Sequence, residues 1–263
     1  MNVLFLGYGR MGGAIGEAWL KGGLVERIVA VDPYLQASDS ATLYPSLDAV
    51  PEQAFDLIVV ATKPGYACEV LASLPDALCA KAVVISVAAG ITCASMSQAL
   101  RERCPVVRVM PNTAVLVGAG CTGLYAGADV SEQQRSVIGQ LFDAVGKACW
   151  VEQEAQLDAV TAVSGSGLAY YHLFSEALAN AGVALGLPIE LASTLAAQTA
   201  LGAGAMQMQS GAGFVELRAA VTSPNGTTAA AIDRFEQDQA LRQLVEAAAR
   251  AAYVRSQELS QGA

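Results

Sequence analysis

The sequence has one histidine, His172, four lysines and no Cys-x-x-C pair among its six cysteines. A zinc site is built from clustered His and Cys ligands, so none is expected here. Cys68, Cys79, Cys93, Cys104, Cys121 and Cys149 instead read as reduced, small apolar fillers, which suits the cytoplasm. Positive charge is scarce as well. A net charge of −9 argues against nucleic acid and anionic membranes as partners. Charged residues make up only 15% of the 263 positions and hydrophobic ones 54%, many of them Ala. Such a chain holds a sizeable core and is expected to hide part of its surface in an oligomer. Met1–Leu6 lacks the basic segment of a signal peptide. The most apolar later stretch, Leu168–Leu187, is interrupted by His172, Glu176 and Asn180, so it reads as a buried helix rather than a membrane span.

Against these absences stands an ordered first half. Val3–Leu6 reads as a buried strand, and Gly7-Tyr8-Gly9-Arg10-Met11-Gly12 follows it and opens a helix. This is G-x-G-x-x-G in its proper setting. The first glycine allows a tight turn, the second lets backbone approach a pyrophosphate, and the third packs helix on strand. The next strand, Ile28–Val31, ends at Asp32, twenty positions after Gly12, where an acid would accept the ribose 2′-hydroxyl. Further strands are expected at Asp56–Ala61, Val83–Val87, Val106–Val109, Cys121–Tyr125 and Ala148–Val151, with helices at 93–103 and 131–145. Strands alternating with helices predict an α/β fold with a Rossmann-like, doubly wound parallel sheet, binding its ligand beyond the strands' C-terminal ends. The loops Gly7–Gly12, Thr62–Gly65 and Pro111–Thr113 all leave such ends and should share one cleft. Lys63 in that cleft suits a phosphate or ribose contact, and suits a solvated surface equally well.

After Glu152 no strand-like run remains. Helices are expected near 154–163, 168–186, 188–209, 213–220, 227–236 and 238–259, broken at Gly186-Leu187-Pro188. Two domains follow, 1–152 for the dinucleotide and 153–263 all helical. Within the second, Val221-Thr222-Ser223-Pro224-Asn225-Gly226-Thr227-Thr228 is a turn entering a helix, with Thr227 or Thr228 placed to cap the first turn. Its hydroxyls and backbone N–H groups at a positive helix end make a seat for a carboxylate. The same residues would also make an ordinary cap between two helices.

Hydride transfer to a carbonyl commonly enlists a His, a Lys, a Tyr-x-x-x-Lys pair or zinc. The lysines are Lys21, Lys63, Lys81 and Lys147, so the helical half has none, and no Tyr is followed four places on by Lys. The catalytic-lysine pattern of 3-hydroxyacid dehydrogenases is thereby removed. His172 stands alone in mid-helix on an apolar stretch. A protonated cyclic imine needs less help, because it is already electrophilic and one hydroxyl near its nitrogen suffices.

At this point the residues resemble a known family. Val221–Thr228 is similar to the signature loop of pyrroline-5-carboxylate reductases, which usually has Gly-Gly after Pro. Ala162–Tyr170 resembles the family's Ser-Gly-Ser-Gly-Pro-Ala-Tyr segment, Val109–Thr113 its Met-Pro-Asn-Thr loop, and Ala61–Pro64 its Ala-Val-Lys-Pro. The resemblance implies NAD(P)H-dependent reduction of 1-pyrroline-5-carboxylate to L-proline by a dimer joined through the helical domain, often assembled into a decamer. It places Ser223, Gly226, Thr227 and Thr228 on the substrate, with Thr228 at the imine nitrogen. The cofactor falls to Gly7, Gly9, Arg10, Met11, Gly12, Asp32, Ala61, Lys63, Pro64 and Asn112. Leu168, Ala114 and Ala219 depart from the family's usual Pro, Pro and Asp, which keeps a related imine such as 1-pyrroline-2-carboxylate open. A non-catalytic dinucleotide-binding protein is the alternative of another class, and the two retained loops argue against it. Relatives often use NADPH, whereas Asp32 would repel a 2′-phosphate. NADH is therefore the expected choice, with Ser38, Ser40 and Arg10 the groups that could oppose it.

Overall fold

The computed structural model describes residues 1–35, 37–209 and 211–261. The first half runs β1 (Asn2–Leu6), α1 (Arg10–Lys21), β2 (Arg27–Val31), β3 (Thr42–Tyr44), β4 (Leu57–Val60), α2 (Pro64–Ala72), α3 (Asp76–Cys79), β5 (Val83–Ser86), α4 (Cys93–Ala99), β6 (Val106–Met110), β7 (Gly120–Ala126), α5 (Glu132–Asp143) and β8 (Gly146–Trp150). The second half is helical: α6 (Gln156–Val160), a π-helical turn (Thr161–Gly165), α7 (Gly167–Ala184), α8 (Ile189–Gln209), α9 (Phe214–Ala220), α10 (Thr227–Glu236) and α11 (Ala240–Gln261). These elements form two compact units, Met1–Ser166 together with the chain from Ala252 onward, and Gly167–Ala251.

The first unit is an eight-stranded sheet in the order β3-β2-β1-β4-β5-β6-β7-β8. Side chains alternate between faces along each strand, and here both faces are apolar. Val3 and Phe5 enter one core cluster with Ile15 and Trp19 of α1 and Ile138, Leu141 and Phe142 of α5. Leu4 and Leu6 enter the other, with Ala67 and Leu71 of α2 and Met96 of α4. Trp19 closes the first layer, its indole N–H donating to the Leu141 carbonyl at 2.6 Å and its ring lying edge-on to Phe142 at 5.5 Å. The pairings are parallel except β6 with β7, which is antiparallel. The reason is length: the segment from Met110 to Gly120 is too short for the crossover that a parallel partner requires. Three-residue β3 has too little pattern to be read from sequence. The helix expected to 103 stops at Ala99, and Arg101 and Glu102 turn to φ 52° and 59°.

A buried ionic cluster ties the end of α11 into this unit. Arg108 on β6 reaches Glu154 at 3.3 Å and Asp158 at 3.8 Å. Asp158 accepts from Ser256 at 2.7 Å, and Arg108 donates to Ser260 at 3.3 Å. Cys93 and Cys104 pack as fillers; burial pushes both thiols up to about 12, so they stay protonated.

The second unit is built differently. α7 and α8 turn back on each other through Gly186 at φ +98°, with Leu187 N–H donating to the Gly182 carbonyl at 3.1 Å. Its buried apolar cluster among the described residues is Ala179, Ala192 and Ala196, while Leu185, Met208, Phe214 and Val215 are all more than two-thirds exposed.

Candidate functional site

β1 ends at Gly7, whose φ of +88° suits glycine. A methyl group added there would stand 2.8 Å from the Ala61 carbonyl oxygen, and one added to Gly12 would stand 2.9 Å from the Gly7 oxygen. The turn after β1, the start of α1 and the turn after β4 are thus locked face to face. A methyl on Gly9 would meet nothing within 4 Å. Gly9 is the N-cap of twelve-residue α1 and supplies no side-chain cap. The first-turn N–H groups of Arg10, Met11 and Gly12 therefore face an open cradle at a positive helix end, which fits a pyrophosphate. A dinucleotide fits the residues present.

Asp32 follows β2, next to β1 in the sheet. Its Oδ2 accepts from Tyr8 N–H at 2.9 Å and its Oδ1 from Tyr34 N–H at 3.0 Å. A carboxylate has about four acceptor positions, so capacity for a ribose diol remains. Lys63 is the N-cap of α2 and Pro64 its first residue. Pro64 suits that place because its missing N–H would have no helical partner. The Arg10 and Lys63 side chains are exposed and make no ion pair among the described residues. They are free cations at the C-terminal edge of the sheet.

Asn112 follows β6, three strand positions from β1, roughly 14 Å at the usual spacing. It is 6% exposed. Its amide donates to the Ser164 carbonyl at 3.1 Å and its carbonyl accepts from Cys121 N–H at 3.2 Å. The side chain is thus occupied in holding the π-helical turn, where Ser166 N–H reaches back five residues to the Thr161 carbonyl at 2.8 Å. Such turns recur at functional sites.

Two side chains of this region escaped the sequence reading. Thr62 carries a buried hydroxyl with no hydrogen-bond partner among the described residues, beside the glycine turn. Tyr8, an unassigned position of the motif, is buried and bonded to Ser40 at 3.0 Å. No pattern of spacing announces either one.

In the helical unit, the turn before α10 places Asn225 at φ 59°, and Gly226 N–H donates to the Ser223 carbonyl at 3.0 Å. Gly226 is the N-cap of α10 and no side chain caps it. Capping by Thr227 or Thr228 is therefore not what forms: both lie inside the first turn, and neither hydroxyl bonds back to it among the described residues. The hydroxyls of Ser223, Thr227 and Thr228 make no hydrogen bond among the described residues, and Thr228 is half-buried. Three hydroxyls and uncapped N–H groups belong to one helix start, a chemistry suited to an anion. The helix itself, Thr227–Glu236, has the expected bounds.

A strand, glycine loop and helix, with an acid after the next strand, define a dinucleotide-binding protein of the Rossmann class. Similarity to known proteins narrows the class. The family pattern described as pyrroline-5-carboxylate reductase dimerisation matches residues 154–259, and that of NADP oxidoreductase, coenzyme F420-dependent, matches residues 2–90. The pyrroline-5-carboxylate reductase of Pseudomonas aeruginosa is 44% identical over 266 residues, covering 99% of this chain and 97% of that one. That of Mycobacterium tuberculosis is 44% identical over 282 residues, 94% of each. Among solved structures, a pyrroline-5-carboxylate reductase from Coxiella burnetii superposes with TM-score 0.88 at 33% identity, covering 98% of each chain. The Plasmodium falciparum pyrroline carboxylate reductase with NADP bound does so with TM-score 0.85 at 27% identity, covering 99% of this chain and 98% of that one. The chain belongs to the pyrroline-5-carboxylate reductase family.

Proposed function

We propose that this chain reduces the C=N bond of 1-pyrroline-5-carboxylate to give L-proline, with a nicotinamide dinucleotide as hydride donor. Near-full-length identity of 44% to two reductases of that name carries the reading. The bound nicotinamide supplies the hydride; the chain's residues hold and orient. Gly7, Gly9, Arg10, Met11 and Gly12 cradle the pyrophosphate, Asp32 takes the ribose diol, and Ala61, Lys63 and Pro64 line the next loop. Asn112 acts by shaping its own turn. In the helical unit, Ser223, Gly226 and Thr227 receive the substrate carboxylate at the positive end of α10. Thr228 directs its unpaired hydroxyl to the imine nitrogen. The protein works as a homodimer or a multiple such as a decamer, and six free thiols suit a reducing cytoplasm.

A panel of imines assayed with NADH and NADPH tests the substrate. Proline formation from 1-pyrroline-5-carboxylate should exceed turnover of 1-pyrroline-2-carboxylate; the reverse ranking overturns the assignment. Thr228→Ala should lower kcat/KM by about 10²-fold or more while leaving dinucleotide affinity alone, since one positioned proton-sharing group contributes on that scale. Retention of wild-type turnover would remove Thr228 from the imine. Asp32 would repel a 2′-phosphate, so NADH should be favoured roughly tenfold in kcat/KM, about 1.4 kcal/mol. Equal or better use of NADPH would show that the loop after β2 decides instead.

A further inference from the structure

The segment after β2 contains two serines, and either would favour a 2′-phosphate if its hydroxyl were free to turn toward it. Both oxygens are instead engaged in a local network. Ser40 Oγ lies 3.0 Å from the Tyr8 phenol oxygen and 3.2 Å from Ser38 Oγ. Ser38 Oγ also accepts from Ser40 N–H and Ala41 N–H, both at 3.2 Å. The result is a hydroxyl chain, Tyr8–Ser40–Ser38, that closes residues 38–41 into a small turn and anchors it to the glycine loop.

The anchor is built in. The Tyr8 ring is 4% exposed and meets Phe5 edge-on at 5.1 Å. α1 leaves space for it at Gly16, where an added methyl would stand 2.5 Å from the phenol oxygen. Alanine at position 16 would evict the hydroxyl. Burial raises the phenol above its ordinary value, so it stays protonated. The same residue's N–H donates to Asp32 at 2.9 Å. Tyr8 thus holds both groups that meet a ribose 2′ position: the acid through its backbone and the serine turn through its side chain.

We infer that Tyr8 is a positioning residue for cofactor discrimination: its phenol keeps Ser38 and Ser40 paired with each other, so Asp32 alone reads the 2′ position. The inference rests on the NADH preference proposed above and adds the device that enforces it. Releasing the turn lets the Ser38 and Ser40 hydroxyls reorient toward a phosphate. It leaves the Asp32 contacts in place, because those come from backbone N–H groups.

The test is equilibrium binding rather than turnover. Dissociation constants for NADH and NADPH are measured by tryptophan fluorescence on the full chain, for wild type, Tyr8→Phe, Ser40→Ala and the double variant. Tyr8→Phe keeps the ring and removes only the hydroxyl. It should tighten NADPH by about threefold to tenfold, the scale of one net hydrogen bond, with NADH nearly unchanged. Ser40→Ala breaks the same chain from its other end, and should narrow the NADPH-to-NADH ratio in the same direction. The double variant should do no more than the larger single one. An unchanged ratio in Tyr8→Phe, a selective loss of NADPH affinity, or simple additivity would overturn the inference. The wild-type ratio tests the NADH preference separately, since it can fail while Tyr8→Phe still moves the ratio.

Discussion

The two compact units hold their folds by opposite means. The sheet unit buries both faces of its strands, and Trp19, Phe5, Phe55 and Phe142 are less than 2% exposed within it. The Gly167–Ala251 unit buries three alanines as its apolar cluster among the described residues and leaves Phe214, Leu185 and Met208 more than 70% exposed. Yet its helices are long; α8 has 21 residues. Most helical stability in proteins comes from packing an apolar face rather than from propensity. Faces this apolar call for cover, and the match of residues 154–259 to the pyrroline-5-carboxylate reductase dimerisation family makes another copy of the chain the expected cover. Function is affected too, because the proposed substrate hydroxyls at Ser223 and Thr228 stand in the unit that needs the partner. The dinucleotide loop stands in the unit that does not.

The contrast can be broken most severely in the helical unit. Leu195 of α8 lies half-exposed along an apolar groove shared with Leu178, Leu185 and Leu187. Leu195→Glu would bury an unpaired charge in any interface formed there. The dimer dissociation constant should rise by over about a hundredfold, roughly 3 kcal/mol. Light scattering checks this, and an unshifted dimer would place the interface elsewhere.

A smaller effect sharpens the other side. Arg108 is 6% exposed beside Glu154 and Asp158. Arg108→Met leaves two carboxylates without their cation and should cost the sheet unit about 3 kcal/mol. Urea unfolding should show that loss equally at every protein concentration. A loss confined to dilute samples would mean that α11 is held by the partner.

The smallest effect is at the rim of the sheet. Lys81 meets Asp56 at 2.6 Å, and its hydrogen bond, aided by the Asn2 N–H, holds the Asp56 carboxyl below its ordinary value. A lowered folded value stabilises the fold above the unfolded carboxylate range, and that gain is lost as pH falls through the folded value. Lys81→Ala should therefore cost under about 1 kcal/mol near neutrality, and nothing in strong acid. Thermal melts across pH would show it, and a penalty independent of pH would assign Lys81 a packing role instead.

Legibility in the sequence followed the range of the physics involved. Strand periodicity, the glycine loop, Asp32 at the end of β2 and the start of α10 at Thr227 are local features, and each was readable. The antiparallel β7 followed from a connection length that strand-by-strand reading ignores. Gly226 rather than a threonine took the cap position, since a helix that starts at Thr227 leaves the residue before it as the cap. The Arg108 cluster spans residues 93 to 260, and the Tyr8–Ser40 bond joins residues 32 apart. Contacts of that kind depend on topology, so no window of sequence contains them.

Urea unfolding followed by far-ultraviolet circular dichroism, at protein concentrations a hundredfold apart, tests most directly whether the helical unit is completed by a second copy. Mass action requires the helix signal to melt at higher urea in the concentrated sample. Superimposable curves from a species of 27.0 kDa would contradict the account, since the helical unit would then stand alone.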